Sequence, residues 1–229
     1  MGDVEATIAE KSEIIARHAF LERLAKGASA DELRSILPRF SFFVFGFQDI
    51  LRIAHARATH PELKPILRSM VEGDSGHDRW YLEDLRSLGI EVPLELAFSN
   101  EQVIGRDVAY TLVAAILDAT DDYSRLSLIL CLEGVARQFF LLVGAYAKRA
   151  GISQALRYFG GEHLLAEEAH EVFETEAQQT LDRMVIPEHA RQSVRDVVEK
   201  TFAHMTLFAD DLFSAMIASS SRSAAGEKA

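Results

Sequence analysis

The sequence predicts an all-α protein. Apolar residues recur at three- and four-residue spacing along almost the whole chain, which is the pattern of helices that bury one face. Alternating apolar and polar segments joined by hairpin turns, the pattern of strands, are not found in the sequence. Proline interrupts helices, and the five prolines fall at or near the edges of the periodic segments: Pro38, Pro61, Pro65, Pro93 and Pro187.

The periodic segments predict ten helices in one domain. They cover residues 5–26, 30–37, 41–59, 62–72, 74–89, 105–120, 123–150, 153–159, 161–184 and 188–218. With 229 residues and a hydrophobic content of 48%, the chain can bury one sizeable core, so residues 1–218 are expected to form a single domain. The polar segment SSSRSAAGEKA, residues 219–229, is predicted to be a disordered tail.

Composition limits the possible classes of function. A net charge of -11 and a pI near 5.2 argue against nucleic acid or an anionic membrane as the main partner, because the field of the protein repels phosphate. The single cysteine, Cys131, and an N-terminus without a secretory pattern favour the cytoplasm. The most apolar stretch, residues 126–147, contains Glu133 and Arg137, so we interpret it as a core helix and not a membrane span.

The segment HLLAEEAH, residues 163–170, has the spacing of a metal-binding helix. At about 100° per residue, His163, Glu167 and His170 project from one narrow stripe of a helix. Imidazole and carboxylate groups placed in this way can ligate a metal ion. The alternative is a solvated helix face, on which Glu and His are often found four residues apart.

A carboxylate stands in the middle of the most apolar predicted helix. Glu133 lies within LILCLEGVARQFF, and a buried unpaired carboxylate costs several kcal/mol, so a cation is expected beside it. A metal ion is one candidate, and Arg137, one helical turn further on, is the other. The neighbouring Gly134 would allow another helix or a ligand to approach closely.

A third candidate segment is VEGDSGHDRWYLEDLRSLG, residues 71–89. Asp74 and His77 are three residues apart and share a predicted helix face with Tyr81 and Asp84. The alternative is that Asp74 only caps the helix. Glu72 is a reserve ligand in a less favourable helical phase.

Together the three segments offer three imidazoles and three carboxylates: Asp74, His77, Glu133, His163, Glu167 and His170. A mixed set of nitrogen and oxygen donors suits iron or manganese, whereas a structural zinc site usually prefers thiolates. Two metal ions that share six protein ligands keep open positions, which dioxygen or a substrate requires.

These segments resemble a known superfamily. GHDRWYLEDLRSLG, then LEG within an apolar helix, then HLLAEEAH are similar to the heme-oxygenase-like di-iron oxidases and oxygenases, over residues 41–218. The resemblance implies a heme-oxygenase-like helical bundle whose three core helices supply the ligands Asp74 and His77, then Glu133, then His163, Glu167 and His170. The first carboxylate of that superfamily is usually Glu, so Asp74 is a departure. The same fold group includes heme oxygenases and the iron-free TenA-like and pyrroloquinoline-quinone-synthase-like proteins.

Other folds and ligands compete with this interpretation. A ferritin-like four-helix bundle would use two carboxylate-x-x-His motifs and two further carboxylates, with Asp49 as one of them, but it leaves His163 unexplained. A heme would need an axial ligand such as His18 or His55, and nothing around either residue supports that role. A helical binding protein without metal, its polar residues paired internally, is the alternative from another class.

The expected function is therefore that of a non-heme di-iron enzyme that uses O₂ to oxidise a small, apolar or carboxylate-bearing metabolite, with manganese as the alternative metal. Glu133, Tyr81 and Arg137 are expected to act in catalysis. The aromatic run FSFFVFGF, residues 40–47, with Phe139 and Phe140, forms either an apolar pocket or plain core. Arg106 is a second candidate for binding a substrate carboxylate, and Cys131 is interpreted as a core residue. A homodimer is compatible with the sequence.

Overall fold

A computed structural model describes residues 1–92, 94–152, 156–160, 163 and 171–226, and this part of the chain contains helices and turns but no strand. The prediction of an all-α protein is confirmed. The helices are α1 (Gly2–Ala16), α2 (Ala19–Gly27), α3 (Ala30–Ile36), α4 (Ser41–Arg57), α5 (Leu63–Gly73), α6 (His77–Ser87), α7 (Leu94–Ala97), α8 (Val103–Asp118), α9 (Asp122–Arg149), α10 (Glu171–Arg183) and α11 (Glu188–Gly226). Two short 3-10 helices, Leu37–Phe40 and Asn100–Gln102, precede α4 and α8.

The bundle is built around α9, which contacts α1, α2, α4, α5 and α11. Asp121 caps its first turn by accepting a hydrogen bond from the Ser124 N–H, and Lys148 and Arg149 lie in its last turn, where positive charge favours the helix dipole. By length and composition α9 resembles a membrane span, but 56% of its most apolar window is buried inside the bundle, as in a core helix. The cytoplasmic location stays a prediction.

Several predicted boundaries differ from those observed. The segment expected to be one helix at 5–26 forms α1 and α2, because the backbone is extended at His18 and its Nδ1 accepts a hydrogen bond from the Phe20 N–H. The predicted helix at 153–159 is wrong for its described part, since 156–160 has no helical turn. The last helix was expected to end at 218, before a disordered tail, but α11 continues to Gly226.

The N-terminus of α9 is joined to the α4–α5 connection by a buried carboxylate. Asp122 Oδ2 accepts hydrogen bonds from the backbone N–H of Thr59 and of His60, both at 2.7 Å, and Oδ1 accepts one from Arg125 at 2.6 Å. Burial alone would raise the pKa of Asp122, but these hydrogen bonds outweigh burial and hold the pKa below its ordinary value. The folded state therefore favours the ionised form of Asp122.

We expect Asp122→Ala to lower the free energy of unfolding by about 2–4 kcal/mol, because two backbone N–H groups and a guanidinium lose a buried acceptor. Urea unfolding measures the change. Asp107→Ala, at an exposed position of α8, is the matched control and should change the free energy by no more than about 0.5 kcal/mol.

This contribution should depend on pH. Because folding lowers the pKa of Asp122, the stabilisation is complete above the ordinary pKa of the carboxyl group and is lost as the pH falls through the folded value. The difference in free energy between the wild type and Asp122→Ala should therefore shrink between about pH 7 and about pH 3. A difference that does not change over this range would contradict the assignment.

Helix α1 packs directly on the middle of α9 because Gly134 has no side chain. A Cβ atom at Gly134 would lie 2.7 Å from Ser12 Oγ and 3.4 Å from Ile8 Cγ2, both on α1. Contact at 2.7 Å is closer than carbon and oxygen tolerate, so any side chain at this position must displace α1 or the Ser12 hydroxyl. The close approach expected at Gly134 is thus made by a helix.

We expect Gly134→Ala to destabilise the fold by about 1–3 kcal/mol through overpacking, although alanine favours helix formation by about 1 kcal/mol. Ser12→Ala removes the clashing atom, and Ser12 Oγ has no hydrogen-bond partner within the described part of the chain. The double variant should therefore recover most of the loss. A double-mutant cycle from urea unfolding measures the coupling, and additive effects would contradict the packing argument.

Candidate functional site

A cavity of about 450 Å³ lies inside the bundle beside α9. Its walls come from α1, α2, α4, α5, the start of α6, α9, α10 and α11, and much of the lining is apolar. The aromatic residues predicted to form either a pocket or core do line it: Phe40, Phe43, Phe47, Phe139 and Phe140. Its charged and imidazole side chains are Asp74, His77, Glu133, Arg137 and His163. Four of the six predicted metal ligands therefore face a single cavity.

A tight turn between α5 and α6 brings Asp74 and His77 together. Asp74 ends α5, and α6 begins at His77 and not at residue 74 as the sequence predicted. Gly76, between them, has a φ of 96°, a left-handed conformation that glycine adopts without a steric cost. The turn places Asp74 Oδ1 3.0 Å from His77 Nδ1. The acid-x-x-His motif thus keeps its two groups in contact, but through a turn and not through a helix face.

Asp74 is the carboxylate of this segment that faces the cavity. The reserve candidate, Glu72, is 64% exposed at its side chain and accepts a hydrogen bond from Arg68 at 2.8 Å on the outer face of α5. The carboxyl group of Asp74 is largely buried, and burial raises its pKa although the hydrogen bond with His77 opposes the shift. Of these two acids, geometry therefore supports only Asp74 as a site residue.

His163 lies against His77 and is almost fully buried, with 3% of its surface exposed. The ring centroids of His163 and His77 are 4.5 Å apart, and Phe140 and Tyr158 flank His163 at 4.1 and 5.0 Å. Burial, followed by the nearby charge of His77, lowers the pKa of His163 to about 3. The imidazole is therefore neutral at pH 7, which is the form that binds metal ions.

Glu133 and Arg137 line the cavity from α9. Glu133 is half-buried, whereas Arg137, one turn further along the helix, is exposed. Arg137 is therefore not buried in the way that the alternative of a buried ion pair with Glu133 requires. An exposed guanidinium at the edge of an apolar cavity remains available to a ligand from solution.

Tyr81 does not line the cavity, so its position does not support the predicted catalytic role. Its side chain is fully buried, and its hydroxyl donates a hydrogen bond to the Leu37 carbonyl at 2.9 Å and lies 2.9 Å from Ser41 Oγ. Burial raises its pKa above that of an ordinary tyrosine. Tyr81 therefore links α6 to the start of α4 as a core residue.

The remaining candidates have structural roles away from the cavity. Cys131 is buried, which raises the pKa of its thiol to about 12, and it is the core residue that the sequence indicated. The Arg106 guanidinium donates hydrogen bonds to the carbonyls of Ala97 and Ser99. His18 lies 3.1 Å from Asp210, and the exposed Asp49 pairs with Arg52. His55 does not line the cavity either.

Two residues that the sequence did not assign to the site belong to its surroundings. Tyr158 lines the cavity and contacts the rings of both His77 and His163. Asp84 is buried on α6 and accepts backbone hydrogen bonds from Arg157 and Phe159, each at 2.8 Å. The sequence placed Asp84 on the same helix face as His77, and that shared face was the signal that could have identified it.

Glu167 and His170 lie outside the described residues, so the structure does not address the second half of the HLLAEEAH motif. Within the part of the chain that is described, no group of three or more His, Cys, Asp or Glu side chains is close enough to hold a metal ion. Among the described candidate ligands, Asp74 and His77 are in direct contact, and the imidazole of His163 lies next to His77. Glu133 lines the same cavity.

Comparison with known proteins identifies the fold. No family profile and no curated protein matches the chain. A solved domain of unknown function with a heme oxygenase-like fold, from Shewanella denitrificans, matches with a TM-score of 0.71 and 13% identity, covering 93% of this chain and 91% of the other. A TenA homolog from Pseudomonas syringae matches with a TM-score of 0.58 and 16% identity, covering 93% and 92%. The chain therefore has the heme oxygenase-like fold.

Proposed function

We propose that this chain is a non-heme iron enzyme that uses O₂ to oxidise a small organic substrate. The observation that supports the proposal is that Asp74, His77, Glu133 and His163 line one cavity whose other walls are largely apolar. Groups of this kind are costly in apolar surroundings, so a shared function explains their convergence better than packing does.

The donor chemistry fits an iron site. His163 is neutral at pH 7, and His77 has its Nδ1 next to Asp74, which leaves its Nε2 for a metal ion. With the two carboxylates, these groups form the mixed nitrogen and oxygen set that iron or manganese prefers. Glu167 and His170 would complete a site for two ions. Bound iron would supply the reactivity toward O₂ that these side chains lack.

The residues of the chain have distinct tasks in this proposal. Asp74 holds the ring of His77 in a fixed orientation through its hydrogen bond to Nδ1. Phe139 and Phe140 exclude water from the region next to His163 and favour an apolar substrate. Glu133 adds a carboxylate to the same cavity, where it would help to hold a bound cation.

The cavity also indicates the kind of substrate. Its volume of about 450 Å³ is within the range of cavities that hold small organic ligands. Among the described lining residues, the one Lys or Arg is Arg137, whose guanidinium can bind a carboxylate through two hydrogen bonds. We therefore propose a substrate with an apolar body and a single carboxylate group.

We expect anaerobically loaded wild-type protein to hold about two equivalents of Fe(II) or Mn(II) and to develop a transient visible absorption when the iron form meets O₂. Glu133→Ala should lower the metal affinity about tenfold or more and remove the absorption, because it deletes a proposed ligand. Metal analysis after equilibrium dialysis measures the affinity.

Glu72→Ala is the matched control, since Glu72 is an exposed carboxylate on α5 close in sequence to the site. Its metal content should equal that of the wild type. If wild-type protein retains no metal after loading, the iron enzyme is excluded, and a metal-free enzyme or binding protein on the same fold becomes the better explanation.

The role of Arg137 can be tested by ligand binding. Arg137→Gln should weaken the binding of an apolar carboxylate such as 4-phenylbutyrate about threefold to tenfold, because an exposed charged hydrogen bond is lost, and should leave binding of the corresponding amide unchanged. Arg149→Gln, at an exposed position near the end of α9, is the control. Calorimetric titration measures both. Equal losses for acid and amide would exclude carboxylate recognition by Arg137.

A further inference from the structure

We propose that Asp84 is a positioning residue of the site, which holds the segment 156–160 against α6 and thereby fixes His163 beside His77. Only the metal that His77 and His163 would bind depends on the proposed function. The contacts of Asp84 themselves do not depend on that function.

The segment 156–160 is not helical, so its backbone N–H groups need partners outside a helix. The buried carboxylate of Asp84 supplies them: Oδ1 accepts from the Arg157 N–H and Oδ2 from the Phe159 N–H, each at 2.8 Å. Burial raises the pKa of Asp84, and the N–H groups of Phe159, Arg157 and Tyr158 oppose that shift. One carboxylate therefore determines the path of three successive residues.

Side chains of the same segment pack on α6 on either side of Asp84. The Arg157 guanidinium lies over the Trp80 ring, 4.4 Å from its centroid. The rings of Tyr158 and Phe159 pack edge to face against Tyr81, with centroids 5.6 and 5.8 Å away. These side-chain contacts stabilise the packing of the segment on α6, but aromatic rings can shift along each other at little cost. Two hydrogen bonds to one carboxylate have strict distances and angles and therefore fix the register of the backbone.

The register is passed on to His163 through the backbone. The Arg157 carbonyl accepts a hydrogen bond from the His163 N–H at 3.2 Å. The N–H of Arg157 in turn donates a hydrogen bond to Asp84. The ring of Tyr158 also lies against both imidazoles, at 6.4 Å from His77 and 5.0 Å from His163. A shift of the segment along α6 would therefore move His163 away from His77.

The placement of Asp84 on α6 explains why one residue can align both imidazoles. His77 and Asp84 are seven residues apart, which is two helical turns, so they project from the same face. His77 reaches the cavity from the first turn of α6, and Asp84 anchors the segment that leads to His163. A rigid helix thus sets the distance between the two imidazoles, as preorganisation of a metal site requires.

The test uses Asp84→Asn, which keeps the size of the side chain but turns an N–H donor toward one of the backbone N–H groups. Glu83→Gln is the matched control: Glu83 is the exposed neighbour on α6, and it lies 3.5 Å from the Arg157 side chain without holding the backbone. NMR of the histidine ring C–H groups in metal-free protein gives a readout that does not depend on activity.

We expect Asp84→Asn to shift the His163 ring resonances, because Phe140 and Tyr158 would no longer flank the ring at their present distances. The affinity for Co(II), a spectroscopic substitute for iron, should fall about tenfold or more. Glu83→Gln should leave both unchanged. A folded Asp84→Asn protein with the ring resonances of the wild type would overturn the proposal.

Hydrogen exchange on the wild type supplies a test that needs no variant. The amides of Arg157 and Phe159 should be protected about 100-fold or more relative to an unfolded chain, although they lie outside any helix. Unprotected amides would overturn the proposal even if Asp84→Asn does not fold. If wild-type protein binds no Co(II), the iron function fails, while the ring resonances and the exchange rates still decide the role of Asp84.

Discussion

The desolvation of a few ionisable side chains inside an apolar bundle is the constraint on which the site depends. Burial raises the pKa of Asp74 and lowers that of His163, so both shifts favour the neutral form of the group. A bound divalent cation would lower the pKa of Asp74, because it stabilises the carboxylate. It would also require the lowered pKa of His163, because it binds only a neutral imidazole. In the proposed metal site, the burial that is costly without a cation would therefore favour binding of one.

Glycines and a turn determine how the ionisable side chains of the cavity are placed. The left-handed backbone at Gly76 lets Asp74 and His77 face each other across the junction of α5 and α6. The missing side chain at Gly134 lets α1 lie on α9 next to Glu133. Neither glycine contributes a functional group, yet Gly76 lets Asp74 and His77 meet and Gly134 lets α1 pack on α9.

The sequence predicts the helices well where their stability comes from a continuous apolar face. α9 was expected at 123–150 and is observed at Asp122–Arg149, and the aromatic run at 40–47 does contribute to the cavity. The prediction fails where a tertiary partner replaces the local hydrogen bond. Residues 156–160 have a helical apolar pattern, but Asp84 on α6 accepts the N–H groups of Arg157 and Phe159. A partner so distant in the sequence cannot be recognised from the periodicity of the segment.

The face of α6 shows why the site itself is only partly predictable. His77, Tyr81 and Asp84 share that face, and from spacing alone all three are equivalent candidates. Depth separates them: His77 reaches the cavity, Tyr81 is fixed by the Leu37 carbonyl, and Asp84 binds backbone N–H groups. The helical period predicts the direction in which each side chain projects from the helix axis, but not its distance from the cavity. That distance depends on the packing of α4 and of the segment 156–160 against α6. Tyr81 and Asp84 fix α6 against the Leu37 carbonyl and the segment 156–160, so the position of the imidazole at its first turn depends on contacts that the helix makes one and two turns away.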